Sequence, residues 1–201
     1  MISSLTAENL ACARGDRVLF EGLSFTLTRG HALAVEGANG AGKTSLLRLI
    51  AGFLSPKAGR LVLSTSDGES EDGEERGKQV GWLGHQDALK PQLTVREQLA
   101  FFAALYGAPA DLDGALTQVG LTRQKDFPCR FLSAGQRRRL GLARLMVSAR
   151  PLWLLDEPFA ALDSEGQAMI AQTMARHCES GGMVIAATHD PLPLDKASIR
   201  L

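Results

Sequence analysis

Residues 37–44 combine glycines with a lysine and a threonine in the order Gly-Ala-Asn-Gly-Ala-Gly-Lys-Thr, which is the pattern of a phosphate-binding P-loop. Its glycines let the backbone turn several N–H groups toward a phosphate. Lys43 then reaches the β and γ phosphates, and the Thr44 hydroxyl ligates magnesium. An ordinary glycine-rich turn is the alternative, but the run lies between a predicted strand and a predicted helix, which is the context that a P-loop requires.

A buried apolar strand predicted at residues 151–155 is followed by two adjacent carboxylates, Asp156 and Glu157. At the carboxyl end of a central strand, Asp156 can hold magnesium through water. Glu157 lies one residue further on, where a γ-phosphate and its attacking water would be. Most adjacent acidic pairs are solvated surface residues. Here the preceding apolar strand and the following Pro158 argue against an exposed turn.

A third segment, Leu-Ser-Ala-Gly-Gln at residues 132–136, begins a predicted helix. The N–H groups of the helix N-terminus and the Ser133 hydroxyl can bind a phosphate. This segment discriminates between protein classes, because a P-loop by itself is also found in kinases, GTPases and helicases.

Taken in order along the chain, these motifs resemble those of the ATP-binding cassette (ABC) family. Residues 37–44 resemble its Walker A loop, residues 132–136 its signature motif, and residues 161–163 its D-loop. The resemblance implies ATP hydrolysis with Mg²⁺, and it assigns roles to residues by motif. Those implied to act in catalysis are Glu157, His189 and Gln86. Those implied to bind magnesium are Thr44, Gln86 and Asp156. Those implied to bind ATP are Gly37, Ala38, Asn39, Gly40, Ala41, Gly42, Lys43, Thr44, Ser45 and Arg14.

In this family the signature motif of one subunit completes the ATP site of another, so the resemblance implies a head-to-tail homodimer. The residues expected to act on the partner's ATP are Ser133, Ala134, Gly135, Gln136 and Asp163. Two positions depart from the usual pattern. Ala134 replaces the first glycine of the signature but still donates its backbone N–H. Arg14 stands where an aromatic residue usually stacks on adenine, and a guanidinium plane can also stack on a base.

Residues 36–44, 82–86, 131–136 and 155–159 look more specifically like those of the haem-exporter ATP-binding subunits of cytochrome c maturation. That resemblance implies two such subunits with two membrane-spanning subunits, at the cytoplasmic face of a bacterial inner membrane and without direct haem contact. We expect the coupling surface near residues 89–106. An ABC exporter for another cargo, such as a lipoprotein or a small solute, is the alternative. A soluble ABC ATPase acting on nucleic acid or ribosomes is disfavoured, because such proteins usually carry long coiled coils or a second cassette.

Composition is consistent with this assignment. Twenty-two basic and 22 acidic residues give the 201-residue chain a formal net charge of zero, so no overall field favours nucleic acid. We interpret the basic run at residues 137–139 as a solvated helix face. Three widely spaced cysteines indicate reduced thiols. No apolar run approaches the roughly 18 residues of a membrane span, and the remaining histidines show no metal-ligand spacing.

The elements that must position these groups alternate between strands and helices, which predicts an α/β sheet core. Strands are predicted at residues 31–36, 60–63, 151–155 and 183–187, and helices at residues 42–51, 95–106, 135–148 and 164–178. Residues 4–10 and 18–27 predict an antiparallel β piece with a turn at 14–16. The expected fold class is thus α/β, a P-loop NTPase (RecA-like) mixed sheet with an N-terminal antiparallel β piece and a small helical subdomain. We expect one domain over residues 1–201, with the core at 1–86 and 151–201, the helical subdomain at 87–150, and a solvated acidic loop at 64–78.

Overall fold

The computed structural model describes residues 1–85, 88–107, 109–189, 192 and 196–201. Its strands are β1 (Ile2–Arg14), β2 (Arg17–Thr28), β3 (Ala32–Glu36), β4 (Ala58–Thr65), β5 (Gly68–Ser70), β6 (Val80–Leu83), β7 (Leu152–Asp156), β8 (Met183–Ala187) and β9 (Lys196–Arg200). Its helices are α1 (Lys43–Ile50), α2 (Gly73–Gly77), α3 (Val95–Tyr106), α4 (Leu112–Gln118), α5 (Ala134–Ser148) and α6 (Ser164–Glu179), with 3₁₀ turns at Thr122–Gln124 and Cys129–Phe131.

Five parallel strands form the central sheet in the order β6-β7-β8-β3-β9. Every residue of β7 and β8 is buried, because the sheet is covered on both faces. β8 lies between β3 and β7, so the segments that follow these three strands lie side by side at one edge of the sheet. Those segments carry the P-loop, Glu157 and His189. The topology thus brings together residues that are far apart in the sequence.

Side chains alternate between the two faces of this sheet and enter two apolar cores. On β7, Leu152 and Leu154 face one core, whereas Trp153 and Leu155 face the other. The first core lies under α1 and the antiparallel strands. The second is closed by α3, α4, α5 and α6.

The second sheet is antiparallel, with the order β2-β1-β4-β5. It confirms the predicted N-terminal β piece and its turn, but its membership corrects one expectation. Residues 60–63 were expected to belong to the α/β core. They lie instead in β4, which pairs with β1, Leu63 opposite Leu5. A short apolar run does not reveal its partner, because the partner is chosen by long-range packing.

The prediction of a solvated loop over residues 64–78 is wrong. β4 continues to Thr65 and turns back as β5, and α2 follows, begun by the Asp72 side chain, which accepts a hydrogen bond from Glu74 N. Arg76 explains why this acidic segment is ordered. Its guanidinium is buried and donates to Ile50 O at 2.7 Å and Leu49 O at 3.3 Å, the carbonyl end of α1.

The part between β6 and β7 is mostly helical, as predicted. Thr94 and Glu97 form the expected capping box at the start of α3, and Gly107 ends that helix in a left-handed conformation. In the described part of the chain, no helix is long and apolar enough to cross a membrane. The three cysteines are free thiols, as predicted, and burial raises the pKa of each, that of Cys178 to about 11.

Candidate functional site

A polar pocket of about 320 Å³ opens at the carboxyl edge of the parallel sheet, beside the turn between β1 and β2. It collects residues from four separate stretches of sequence. Its walls are formed by Arg14, Leu19, Ala38, Asn39, Gly40, Gly42, Lys43, Thr44, Ser45, His85, Asp156 and Glu157. Ten of these twelve residues were expected from the sequence to lie around a nucleotide and its metal. Their individual roles stay predictions.

The loop between β3 and α1 takes a path that only glycine permits at two points. Gly42 has φ of 112°, and a Cβ there would lie 3.1 Å from side-chain atoms of both Leu19 and Phe20. Gly37 has φ of 148°, and a Cβ there would lie 2.9 Å from the Leu201 carbonyl oxygen. Glycine at both places lets the loop close tightly and directs the N-terminus of α1, which starts at Lys43, into the pocket.

Lys43 is the cation at the centre of this loop, and it is only 7% exposed. Its Nζ donates to Gly37 O at 2.8 Å, lies 2.8 Å from His189 Nε2, and is 3.8 Å from Glu157 Oε1. His189 Nε2 is also 2.8 Å from Asn39 Oδ1. Residues that lie up to 150 positions apart thus bring donors and a carboxylate to one point, which is what recognition of a terminal phosphate and a water requires.

Two oxygen ligands meet beside this cluster. The Thr44 hydroxyl donates to Asp156 Oδ2 at 2.9 Å, and the Asp156 side chain is buried at the end of β7. Hydroxyl and carboxylate oxygens are the protein ligands that Mg²⁺ accepts, usually together with phosphate oxygens and water. The residues present therefore fit a magnesium ion bound between the protein and a nucleotide.

Glu157 has an unusual backbone conformation. Its φ is 49°, in the left-handed region, which costs a residue other than glycine about 1–3 kcal/mol and persists only where surrounding contacts compensate for that cost. Its N–H donates to Ala187 O at 2.8 Å, which ties the turn to the end of β8. The carboxylate consequently leaves the strand direction and approaches His189, with Oε1 3.4 Å from Nε2.

The interpretation of residues 137–139 as a solvated face is wrong for Arg138, which is 4% exposed. Its guanidinium donates to backbone carbonyls of the loops that border the pocket, Gly84 O at 2.6 Å and Glu157 O at 2.7 Å among them. Helical spacing contains a signal for this burial. Arg138 shares a face of α5 with Leu142 and Leu145, which are both in the apolar core.

The predicted signature residues lie outside this pocket. Ser133 begins α5 with its hydroxyl accepting from Gln136 N at 3.2 Å, while Gln136 Oε1 accepts from Ser133 N at 2.9 Å. Ser133 and Ala134 are exposed. Gly135 lies against the turn before α6, where a Cβ would be 3.1 Å from Ala161 O. The start of this 15-residue helix is thus not part of the wall of the nucleotide pocket of its own chain.

The remaining predicted residues lie at the borders. Arg14 is exposed and lines the pocket from the end of β1. Asp163 begins α6, where its Oδ1 accepts from Gly166 N at 2.9 Å. Leu19 and His85 line the pocket but were not predicted, since neither belongs to a phosphate-binding pattern. Gln86 lies outside the described residues.

Comparison with known proteins is consistent with this geometry. The family model described as ABC transporter matches residues 20–160. The chain is 51% identical to the cytochrome c biogenesis ATP-binding export protein CcmA of Rhodopseudomonas palustris strain HaA2 over 98% of this chain and 97% of that protein. It is 47% identical to the CcmA of Hyphomonas neptunium over 92% and 90% of the two chains. The solved structure of an ABC transporter ATP-binding protein from Pyrococcus furiosus covers 99% of this chain and 98% of its own with a TM-score of 0.86; at 23% identity, that likeness concerns the fold.

Proposed function

The chain belongs to the ABC transporter family and is an ATPase of that family, and we propose that it energises the export complex of cytochrome c biogenesis, with haem handling as the task. The observation that carries the enzymatic part is that Lys43, Asp156 and Glu157 line one pocket, while His189 contacts Lys43 and Glu157. The cargo rests on the near full-length similarity to proteins named for cytochrome c biogenesis.

ATP binding follows from the charges and donors of the pocket. Lys43 and the N-terminus of α1 are proposed to bind the β and γ phosphates, whose negative charge they would offset. Thr44 and Asp156, joined at 2.9 Å, would hold the magnesium ion, which when bound neutralises charge on the phosphate oxygens. Arg14 lines the same pocket and is the proposed group that stacks on the base.

Hydrolysis needs a water held in line with the bond that breaks. The Glu157 carboxylate is the proposed group that orients this water and takes its proton as oxygen attacks the γ-phosphorus and ADP leaves. His189, with Nε2 3.4 Å from Glu157 and 2.8 Å from Lys43, would contact the γ-phosphate from the other side. Gln86 is proposed to contact the metal and the water.

We further propose that two copies share their sites. Ser133, Ala134, Gly135 and Gln136 form the start of α5 and do not border their own pocket. The capping box uses the N–H groups of Ser133 and Gln136, so those of Ala134 and Gly135 are the donors proposed to meet an anion. A head-to-tail dimer would place this helix start, together with Asp163, over the γ-phosphate held by the other copy. ATP would then join the subunits and hydrolysis would release them.

The proposed contact with two membrane-spanning subunits lies on α3 and the neighbouring β6. A groove of about 600 Å³ there is lined by aromatic side chains, Trp82, Phe102 and Tyr106 among them. Phe53, whose ring centroid lies 5.9 Å from that of Trp82, is 68% exposed, and Leu105 on α3 is 64% exposed. We propose that the aromatic side chains of this groove, which Arg48 and Arg144 also line, contact a helix of a membrane protein at the cytoplasmic face of a bacterial inner membrane.

The test replaces the native gene by a Lys43→Ala variant in the source bacterium and measures haem attached to c-type and to b-type cytochromes. Lys78→Ala is the matched control, because this lysine is exposed and pairs only with Glu74 among the described contacts. We expect selective loss of c-type cytochromes with Lys43→Ala and none with the control. Normal c-type levels, or equal loss of both classes, would refute the proposed task.

A further inference from the structure

Arg138 connects α5 to both loops that border the nucleotide pocket. Its guanidinium donates to Gly84 O at 2.6 Å, in the loop after β6. It also donates to three consecutive carbonyls after β7, those of Asp156, of Glu157 at 2.7 Å and of Pro158 at 3.3 Å. A guanidinium carries five N–H donors in a rigid plane, so one side chain can hold several carbonyls at fixed relative positions.

These carbonyls include the two that decide where Glu157 points. The Asp156 carbonyl belongs to the peptide plane before the Glu157 Cα, and the Glu157 carbonyl belongs to the plane after it. Fixing both planes fixes φ and ψ between them, and with them the direction in which the side chain leaves the backbone. The left-handed φ of 49° at Glu157 is therefore held by contacts from Arg138 in addition to the bond from Glu157 N to Ala187 O.

Arg138 is also five residues from Ser133, at the start of the same helix. In the proposed dimer, Ser133 contacts the ATP bound by the partner, whereas Arg138 contacts the carboxylate loop of its own chain. If α5 moves when Ser133 meets the ATP bound by the partner, the buried Arg138 guanidinium transmits that movement to Glu157 of its own chain. A methionine side chain has no donor for these four carbonyls, and the single ammonium of a lysine cannot donate to all of them in a fixed plane.

We propose that Arg138 is a positioning residue for ATP hydrolysis, which sets the direction of Glu157 and ties it to the helix that serves the other site. This inference rests on the proposed roles of Glu157 and Ser133. It does not depend on the cargo. Arg138 touches no nucleotide in this scheme, so its removal should affect turnover and leave nucleotide affinity in place.

The test compares purified Arg138→Met and Arg138→Lys with wild type. We expect kcat to fall about 30–100-fold in Arg138→Met while the KM for ATP changes less than about threefold, because misdirection of Glu157 affects the transition state alone. Arg138→Lys, which keeps the charge and some donors, should recover part of kcat.

A double substitution separates positioning from simple damage. If Arg138 acts through Glu157, then Arg138→Met should slow Glu157→Gln by less than about twofold, because the group that it directs is already missing. Arg76→Met is the matched control. Arg76 is equally buried and also donates to backbone carbonyls, but those of α1 and the antiparallel sheet. It should lower the unfolding temperature and leave kcat per folded molecule within about twofold of wild type.

Unchanged kcat in Arg138→Met, or a full and independent loss of rate in the double variant, would overturn the inference while the ATPase assignment stands. A wild-type protein that did not hydrolyse ATP would instead refute the proposed function.

Discussion

His177 makes the stability of this protein depend on pH in a way that one substitution can isolate. Its ring stacks on Trp153, with centroids 3.8 Å apart and planes within 7°, and its Nε2 donates to Pro151 O at 3.1 Å. Burial of the ring lowers its pKa to about 4, against 6.5 in the unfolded chain, although the hydrogen bond to Pro151 favours the charged form. The folded protein therefore keeps a neutral histidine at pH values where the unfolded chain binds a proton.

The sign and the size of the effect follow from linkage. Since the unfolded state binds the extra proton, the free energy of unfolding falls as the pH drops from 6.5 toward 4. The two pKa values differ by about 2.5 pH units, so the full loss is about 3 kcal/mol, of which about 2 kcal/mol is lost between pH 8 and pH 5. That is a large part of the 5–15 kcal/mol typical of a folded domain.

The assay is urea unfolding of wild type and of His177→Phe at pH 8, 6.5 and 5. Phenylalanine keeps an aromatic ring on Trp153 but does not titrate. The destabilisation that comes from protonating carboxylates in acid is the same in both proteins, so it cancels in the comparison. We expect wild type to lose about 2 kcal/mol more than the variant between pH 8 and pH 5. Parallel loss of stability in the two proteins would show that His177 is not buried in its neutral form.

Two further predictions concern the ATP site. Glu157→Gln should retain ATP binding and lose about 10²–10⁴-fold in turnover, because the amide can no longer take a proton from the water. Nucleotide binding and phosphate release measure the two effects. Near-normal turnover would contradict the proposed role of Glu157. Ser133→Arg should leave nucleotide binding by the monomer intact but abolish ATP-dependent dimerisation and hydrolysis. Size-exclusion chromatography with and without ATP measures the dimerisation, and phosphate release measures the hydrolysis. Ser133→Asp keeps a capping side chain at the start of α5 while repelling phosphate. Activity in that variant would therefore argue against a shared site, and mixing Ser133→Arg with Lys43→Ala should restore at most one site per dimer.

Much of the site was predictable because its motifs are local. A P-loop requires glycine at positions of positive φ and a lysine at the start of the following helix. Adjacent residues of the sequence, such as Gly42 and Lys43, meet both requirements. The apolar strands that precede Asp156 and His189 are also visible as short buried runs. The sequence determined which groups we predict to carry the chemistry, and it gave the boundaries of α3 and α6 to within a residue or two.

The tertiary structure decided the position of chain segments that carry no local motif. β4 pairs with β1 rather than with the parallel strands, because its partner is selected by packing between strands that lie more than forty residues apart in the sequence. The acidic segment after it is ordered by Arg76, which binds carbonyls at the end of α1. Both interactions join residues that are far apart in the sequence, so no local pattern predicts them.

Arg138 shows the same limit at the site. Three consecutive arginines resemble a solvated face, and their composition does not distinguish one from another. Only the fold brings carbonyls from the turns after β6 and β7 to the place where the Arg138 guanidinium lies, and those carbonyls compensate for the loss of its hydration. The sequence by itself therefore determined which residues we propose as catalytic. The contacts between distant backbone segments decided which buried arginine we propose to position them.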